Sequence, residues 1–224
     1  MNPYYADDHV TIYHGDALEV LPTLASGLAG AVILDPPYSF ESISVRGRDD
    51  GAAGTSGAPT MLLHQTFVQT QRLLADGGIA PVLHQWRRSP DVSYLMCLAG
   101  LRLSACVAWT RNRVGTGGLF RSSWDPILVG SKGSPTLRDK AAISNVLNVE
   151  PLSGEIHPYA KPPELWGHFL QRIPAGVVVV DPYCGLGASG LAARLAGQRW
   201  IGIEVDERYC EIAARRMGQE VLFG

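Results

Sequence analysis

The sequence predicts a three-layer α/β fold with a mostly parallel sheet, and three observations carry that expectation. Short apolar, β-branched runs alternate with helix-like segments along most of the chain. Two of these runs, Ala31-Val32-Ile33-Leu34 and Val177-Val178-Val179-Val180, are apolar without interruption, as strands covered on both faces are. Each is followed at once by Asp-Pro: Asp35-Pro36-Pro37-Tyr38 after the first, Asp181-Pro182-Tyr183-Cys184-Gly185-Leu186-Gly187 after the second. In an open parallel sheet, ligands bind outside the carboxyl ends of strands, where the strand order reverses. Two such loops on neighbouring strands can hold two reactants side by side.

Taken in order, Val10–Tyr13 reads as a short strand ending at His14-Gly15-Asp16, and Ala17–Leu24 as a helix. After strand Ala31–Leu34, the stretch Ser39–Pro59 is rich in Gly, Ser and Ala and carries Arg46 and Arg48; it reads as a mobile loop. Met61–Leu74 has helical apolar spacing, and Asp76-Gly77-Gly78 is expected to end that helix. Strands follow at Ile79–Leu83 and Leu103–Trp109, with a helix at Ser93–Ala99 between them. Ile127–Val129 reads as an edge or antiparallel strand. A helix over Pro163–Arg172 is entered through Pro-Pro, and Pro174-Ala175-Gly176 separates it from Val177–Val180. Helix Leu191–Ala196, strand Trp200–Glu204 and helix Glu207–Met217 complete the series. No internal repeat is visible, and residues 1–224 are expected to form one domain. The aperiodic stretch at about 111–155 is its candidate insert.

Composition excludes several classes. A hydrophobic content of 46% against 18% charged residues rules out a wholly disordered chain. The apolar runs fall far short of the roughly 18 residues that span a bilayer, and Met1–Asp8 shows no basic stretch leading into an apolar one. A cytoplasmic protein without a membrane segment is expected. Cys97, Cys106, Cys184 and Cys210 lack Cys-x-x-Cys spacing, and the histidines lack His-x-x-x-His, so no metal is expected. The net charge of −2 hides an asymmetry: residues 1–39 carry −5, residues 40–140 carry +5 and residues 141–224 carry −2. The basic middle third offers Arg46, Arg48, Arg87, Arg88, Arg111 and Arg113 as candidate phosphate contacts.

Gly185-Leu186-Gly187-Ala188-Ser189-Gly190 matches G-x-G-x-x-G between a strand and a helix, and Glu204 stands 19 residues beyond Gly185 at the end of the next strand. Glycine lets the backbone turn sharply against a ligand, and the acid can accept from ribose hydroxyls. A nicotinamide dehydrogenase would show the same pattern. Asp181 tips the balance away from it: an acid just before the turn suits an ammonium and repels a pyrophosphate.

With Gly15-Asp16 ahead of the first Asp-Pro motif and His157-Pro158-Tyr159-Ala160-Lys161-Pro162 ahead of the second, the chain resembles the DNA amino-methyltransferases that use S-adenosylmethionine. The tetrapeptide Asp35-Pro36-Pro37-Tyr38 precedes the glycine loop, the circularly permuted order of that family's beta class. The resemblance spans nearly the whole chain. It implies a Rossmann-like methyltransferase fold with a mostly parallel seven-stranded sheet. It also implies S-adenosylmethionine as cofactor and DNA as substrate, with the target-recognition function in the insert. The cofactor site it implies comprises Asp16 toward the adenine amine, Lys161 toward the methionine carboxylate, Asp35, Asp181, Tyr183, Cys184, Gly185, Gly187, Ser189, Glu204 and Asp206. The catalytic set is Asp35, Pro36, Pro37 and Tyr38. An exocyclic amine is a poor nucleophile because its lone pair is delocalised into the ring. The Asp35 carboxylate and the Pro36 carbonyl can accept its two N–H hydrogens and draw the nitrogen toward tetrahedral geometry, so that direct displacement follows. Prolines fix the loop before the base arrives, and Tyr38 would stack on a base flipped out of the duplex.

In the resembling family an Asp at the first motif position leans toward adenine N6 and a Ser toward cytosine N4, so N6 of adenine is the first expectation and N4 of cytosine the alternative. An RNA amino-methyltransferase, a nicotinamide-dependent oxidoreductase and a non-catalytic binding module are the other readings. The chain departs from the family at Ser122-Ser123-Trp124-Asp125-Pro126, where many relatives carry His-Glu. One subunit with a small insert covers little duplex, which leaves room for pairing as a homodimer.

Overall fold

The computed structural model describes residues 1–36, 58–111, 114, 119–152 and 160–218, with the side chains of residues 58 and 59 excepted. Pro37, Tyr38, Arg46, Arg48, Arg113 and the His157–Tyr159 stretch lie outside the described residues, as does nearly all of the loop expected at 39–59.

The strands are β1 (Tyr5–Ala6), β2 (Val10–His14), β3 (Ala29–Val32), β4 (Leu74–Leu83), β5 (Arg102–Thr110), β6 (Trp124–Ser131), β7 (Val146–Asn148), β8 (Val178–Asp181) and β9 (Arg199–Glu204). They form one sheet in the order β1-β2-β9-β8-β3-β4-β6-β5-β7. The run from β2 through β9, β8 and β3 to β4 is parallel. β6 is antiparallel to both β4 and β5, and β1 to β2. The helices are α1 (Ala17–Val20), α2 (Ala58–Leu73), α3 (Ser89–Leu98), α4 (Pro163–Leu170), α5 (Ala188–Leu195) and α6 (Glu207–Gly218).

Period-two alternation explains the three layers. Ala31, Ile33 and Val179 face a core completed by Trp166 of α4, Ala192 of α5 and Ala213 of α6. Val32, Leu34, Val178 and Val180 face the opposite core, with Leu63 and Phe67 of α2 and Val92 and Met96 of α3. Both faces of β3 and β8 are therefore covered, which is why those strands read as continuous apolar runs. Each buried branched side chain contributes roughly 1.5–3 kcal/mol, so the loops leaving these strands start from firm anchors. From β8 the chain passes through α5 to β9, and from β3 through α2 to β4, on opposite faces and in opposite directions along the sheet. The strand order reverses between β8 and β3.

The structure corrects several details of the sequence reading. The sheet has nine described strands rather than seven; the additions are the two-residue β1 and the three-residue β7 at its edges. β6 is antiparallel, as one of the alternatives held, yet it lies between β4 and β5 and is no edge. Asp76-Gly77-Gly78 sits inside β4, where Gly77 donates to the Lys132 carbonyl at 2.7 Å and Lys132 donates back to Gly78 at 3.1 Å. The helix before it already ends at Leu73. The stretch proposed as an insert contributes β6 and β7 to the sheet. No helix among the described residues is long and apolar enough to cross a membrane.

Candidate active site

Asp35 and Asp181 stand at the carboxyl ends of adjacent parallel strands. β3 and β8 run in register with Ala31 opposite Val179 and Val32 opposite Val180, and Ile33 continues the pairing by donating to the Val180 carbonyl at 2.9 Å. Leu34 bridges to Val82 of β4 on the other side. Both acids therefore emerge where the strand order reverses, the crevice in which open α/β sheets bind ligands.

Asp181 is buried, at 4% exposure. One carboxylate oxygen accepts the Tyr183 N–H at 2.9 Å and the other the Ser189 hydroxyl, whose oxygen in turn accepts from Trp200 Nε1 at 3.1 Å. Burial pushes its pKa up to about 7, against the two hydrogen bonds that lower it; the nearby charges of Asp35 and Glu204 raise it further. Among the described residues no ion pair engages this carboxylate. A cation brought to it would supply that missing partner.

The glycine turn follows. Gly185 (φ +49°) and Gly187 (φ +76°) both take the left-handed conformation, and Gly187 opens α5. A side chain at Gly185 would meet nothing within 4 Å, whereas one at Gly187 would stand 2.9 Å from Met217 Cε and 3.3 Å from Ala213 Cβ. Gly187→Ala should therefore destabilise the fold by about 1–3 kcal/mol through strain plus overlap, and Gly185→Ala by only about 1 kcal/mol. Thermal unfolding of the two variants checks this; equal losses would refute it. The open side of Gly185 faces a space into which a ligand can pack against bare backbone.

Glu204 ends β9 and braces this turn: Oε2 accepts the Gly185 N–H and Oε1 the Asp206 N–H, both at 2.9 Å. Each oxygen keeps a lone pair for a ribose hydroxyl. Asp206 caps α6, accepting from Arg208 N and Nε at 3.0 Å, and the arginine pair holds its carboxyl below the usual range. Asp16 is exposed and caps α1 through Leu18 N–H at 2.7 Å. Gly15 donates to the Glu204 carbonyl at 2.9 Å, so this turn abuts β9. The Tyr183 hydroxyl meets Thr66 Oγ1 of α2 at 2.7 Å, and burial pushes it up to about 12, so it stays protonated. The Cys184 side chain is buried in the core with its thiol pushed well up, so only its backbone lies along the turn. Ser189 is likewise committed inward, to Asp181 and Trp200.

Three features were not apparent from the sequence. Lys161, placed by resemblance at the cofactor carboxylate, lies with Nζ 2.8 Å from Asp35 Oδ2. Asp125, in the segment that departs from the family, pairs with Arg111 at 3.3 Å. Burial raises its carboxyl, and the charges of Arg111, Lys161 and Asp35 all reach it. His84, just past β4, is buried and held neutral by burial. Its Nδ1–H donates to the Val82 carbonyl at 3.0 Å and its Nε2 accepts from Ser89 at 2.9 Å. Of the arginines expected on phosphates, Arg87 is exposed and lies 4.9 Å over the Trp86 ring. Arg88 is turned inward against Asp91 at 3.4 Å, and Arg111 is engaged by Asp125. Among the described residues, no three His, Cys, Asp or Glu side chains gather into a metal site.

Comparison with known proteins agrees with this geometry. Residues 109–215 match the N6/N4 methyltransferase family model, described as DNA methylase. The DNA adenine methyltransferase YhdJ of Escherichia coli K12 is 20% identical across 95% of this chain and 84% of its own, a span that includes both Asp-Pro motifs. The crystal structure of the M1.HpyAVI–SAM complex superposes with a TM-score of 0.72 at 18% identity, covering 94% of this chain and all of that one. The PvuII DNA methyltransferase, cytosine-N4-specific, superposes with a TM-score of 0.74 at 16% identity, over 99% of this chain and 90% of its own. The order of the motifs, the crevice between β3 and β8 and these likenesses agree: over residues 109–215 the chain matches the N6/N4 family of DNA methylases.

Proposed function

We propose that the protein transfers the methyl group of S-adenosylmethionine to the exocyclic N6 of adenine in DNA. The observation that carries the reading is the pair of acids at the reversal point, one exposed enough to meet a base and one buried beside a glycine turn. The donor set fits the cofactor. Asp181 offers a buried, cation-free carboxylate to an ammonium, Glu204 keeps acceptors for ribose hydroxyls, and Gly185 leaves its space open. When bound there, S-adenosylmethionine supplies an electrophilic methyl group.

The chain's own residues do the rest. Asp35, a fifth exposed, presents a carboxylate to one N–H of the amine, and the Pro36 carbonyl to the other. Accepting both hydrogens concentrates the lone pair on nitrogen, and this interaction strengthens as positive charge develops there. Asp181 and Glu204 hold the cofactor, while Arg87 offers a surface cation to the phosphate backbone. A homodimer, which would double the duplex surface gripped, belongs to the same reading and is checked by sedimentation.

The first residue of Asp35-Pro36-Pro37-Tyr38 favours adenine, as does the likeness to YhdJ. The likeness to the PvuII enzyme favours cytosine N4 as the second reading. Incubating DNA with methyl-labelled S-adenosylmethionine and identifying the labelled nucleoside by mass spectrometry decides. Label in N6-methyladenine supports the proposal, label in N4-methylcytosine replaces it with the second reading, and no label refutes both. Glu204→Ala should weaken cofactor binding by about 1–3 kcal/mol, the scale of lost charge-assisted hydrogen bonds. Calorimetry checks this, and an unchanged dissociation constant would show the ribose is held elsewhere.

A further inference from the structure

We propose that Lys161 is a positioning residue for Asp35: its ammonium holds one carboxylate oxygen and turns the other toward the target amine. The inference rests on the catalytic reading of Asp35 above.

Lysine is a poor choice for a buried position unless its charge is paired, because the ammonium is strongly hydrated on a flexible stem. Lys161 is nevertheless only 8% exposed, with Nζ 2.8 Å from Asp35 Oδ2. Its backbone is fixed. Pro162 caps α4 in extended geometry, Pro163 begins the helix, and Leu165, Trp166 and Leu170 bury that helix in the core. Asp35 by contrast has just left its strand, and a carboxylate there can rotate about two single bonds. An ammonium arriving from a rigid element removes that rotation. It leaves Oδ1 as the oxygen available to an N–H, in a geometry set before substrate arrives.

The surrounding charges support a built arrangement. Asp35 and Asp125 are two anions, and Lys161 and Arg111 two cations; the Arg111–Asp125 pair is 3.3 Å long, and Asp125 senses the charges of both Lys161 and Asp35. Removing Lys161 would leave this group with one uncompensated negative charge, and Asp35 without its tether. A lysine that served the cofactor alone would act on cofactor affinity, whereas a tether on Asp35 acts on the methyl-transfer rate once cofactor is saturating.

The test uses the full chain with Lys161→Arg, Lys161→Gln and Lys161→Met. Calorimetry gives the S-adenosylmethionine dissociation constant, and single-turnover methylation of DNA at saturating cofactor gives the rate. Lys161→Met should lower that rate by about tenfold or more, a typical cost of a lost positioning contact. Lys161→Gln and Lys161→Arg, which keep a donor, should fall between it and wild type. A Lys161→Met rate within about twofold of wild type overturns the proposal, whatever happens to cofactor affinity. Methylation by wild type with no effect in the variants sinks the proposal alone, while a silent wild type sinks the catalytic reading with it. Should Lys161→Met fail to fold, the other two variants and amine acylation of the native chain decide. Lys161 should acylate slowly in wild type and faster in Asp35→Asn, relative to exposed Lys140. Equal rates in both proteins would show that Asp35 does not hold the ammonium.

Discussion

Asp35→Ala should lower methyl transfer by at least about 10³-fold, or about 4 kcal/mol of transition-state stabilisation, while the protein still binds S-adenosylmethionine. The carboxylate accepts from an amine whose nitrogen gains positive charge as it reacts, so the interaction is stronger in the transition state than in the ground state. Its loss belongs in the rate and not in cofactor affinity. Two side effects follow from the geometry. Lys161 is left buried without this partner, so the melting temperature should fall, and Asp35→Asn is the control that keeps the shape. Asp181 loses one of the negative charges that push its proton affinity up, so cofactor binding near pH 6 should hold or tighten. Single-turnover assays and calorimetry on the same preparations separate these effects. Near-normal turnover in Asp35→Ala would overturn the catalytic assignment.

What the sequence shows of this site is what is encoded locally. Asp35, Asp181, Gly185, Gly187 and Glu204 each lie at a strand end or a strand-to-helix turn, and such junctions announce themselves through a few adjacent residue types. The covered faces of β3 and β8 do likewise, because a strand packed on both sides has no polar residue to interrupt its run. Contacts between distant segments leave no such mark. The Lys161–Asp35 pair joins the entry of α4 to the end of β3, and the Tyr183–Thr66 hydrogen bond joins the glycine loop to α2. Neither spacing nor composition predicts which lysine or threonine arrives there. Arg87 and Arg88 are equivalent as a sequence, yet the tight turn at Trp86–Arg88 sends one to solvent and the other inside. Ser189 and Asp206 look like ligand contacts because they border the right elements. Their hydrogen bonds show one orienting Asp181 and the other capping α6. β1 and β7 escape because two or three residues are too few for a period to show.

Asp181→Asn should make the free protein more stable at pH 8 and a poorer binder of its cofactor. In the unfolded chain Asp181 ionises near its ordinary value of 3.8, but in the folded protein burial holds the proton up to about 7. Between those values the folded state binds more protons than the unfolded one, so stability falls as pH rises, and it levels off only above about 7. Below the unfolded value both states are protonated and the group contributes no penalty. At pH 8 the full penalty stands, at most about 4 kcal/mol for a shift of about three units. Asparagine can keep one oxygen to accept from Tyr183 N–H and turn its amide N–H toward the Ser189 oxygen without burying a charge, so urea unfolding should show the variant ahead of wild type at pH 8 and not at pH 4. The same charge is what an ammonium needs. The wild-type dissociation constant for S-adenosylmethionine should tighten by about fivefold between pH 6 and 7 as Asp181 ionises, while the variant's stays flat and at least about tenfold weaker at pH 7. Comparing the two proteins cancels any titration of the cofactor's own amino group. A wild-type affinity that ignores pH across this range, together with no stability gain in the variant at pH 8, would show that Asp181 is ionised in the free protein and not held neutral by its burial.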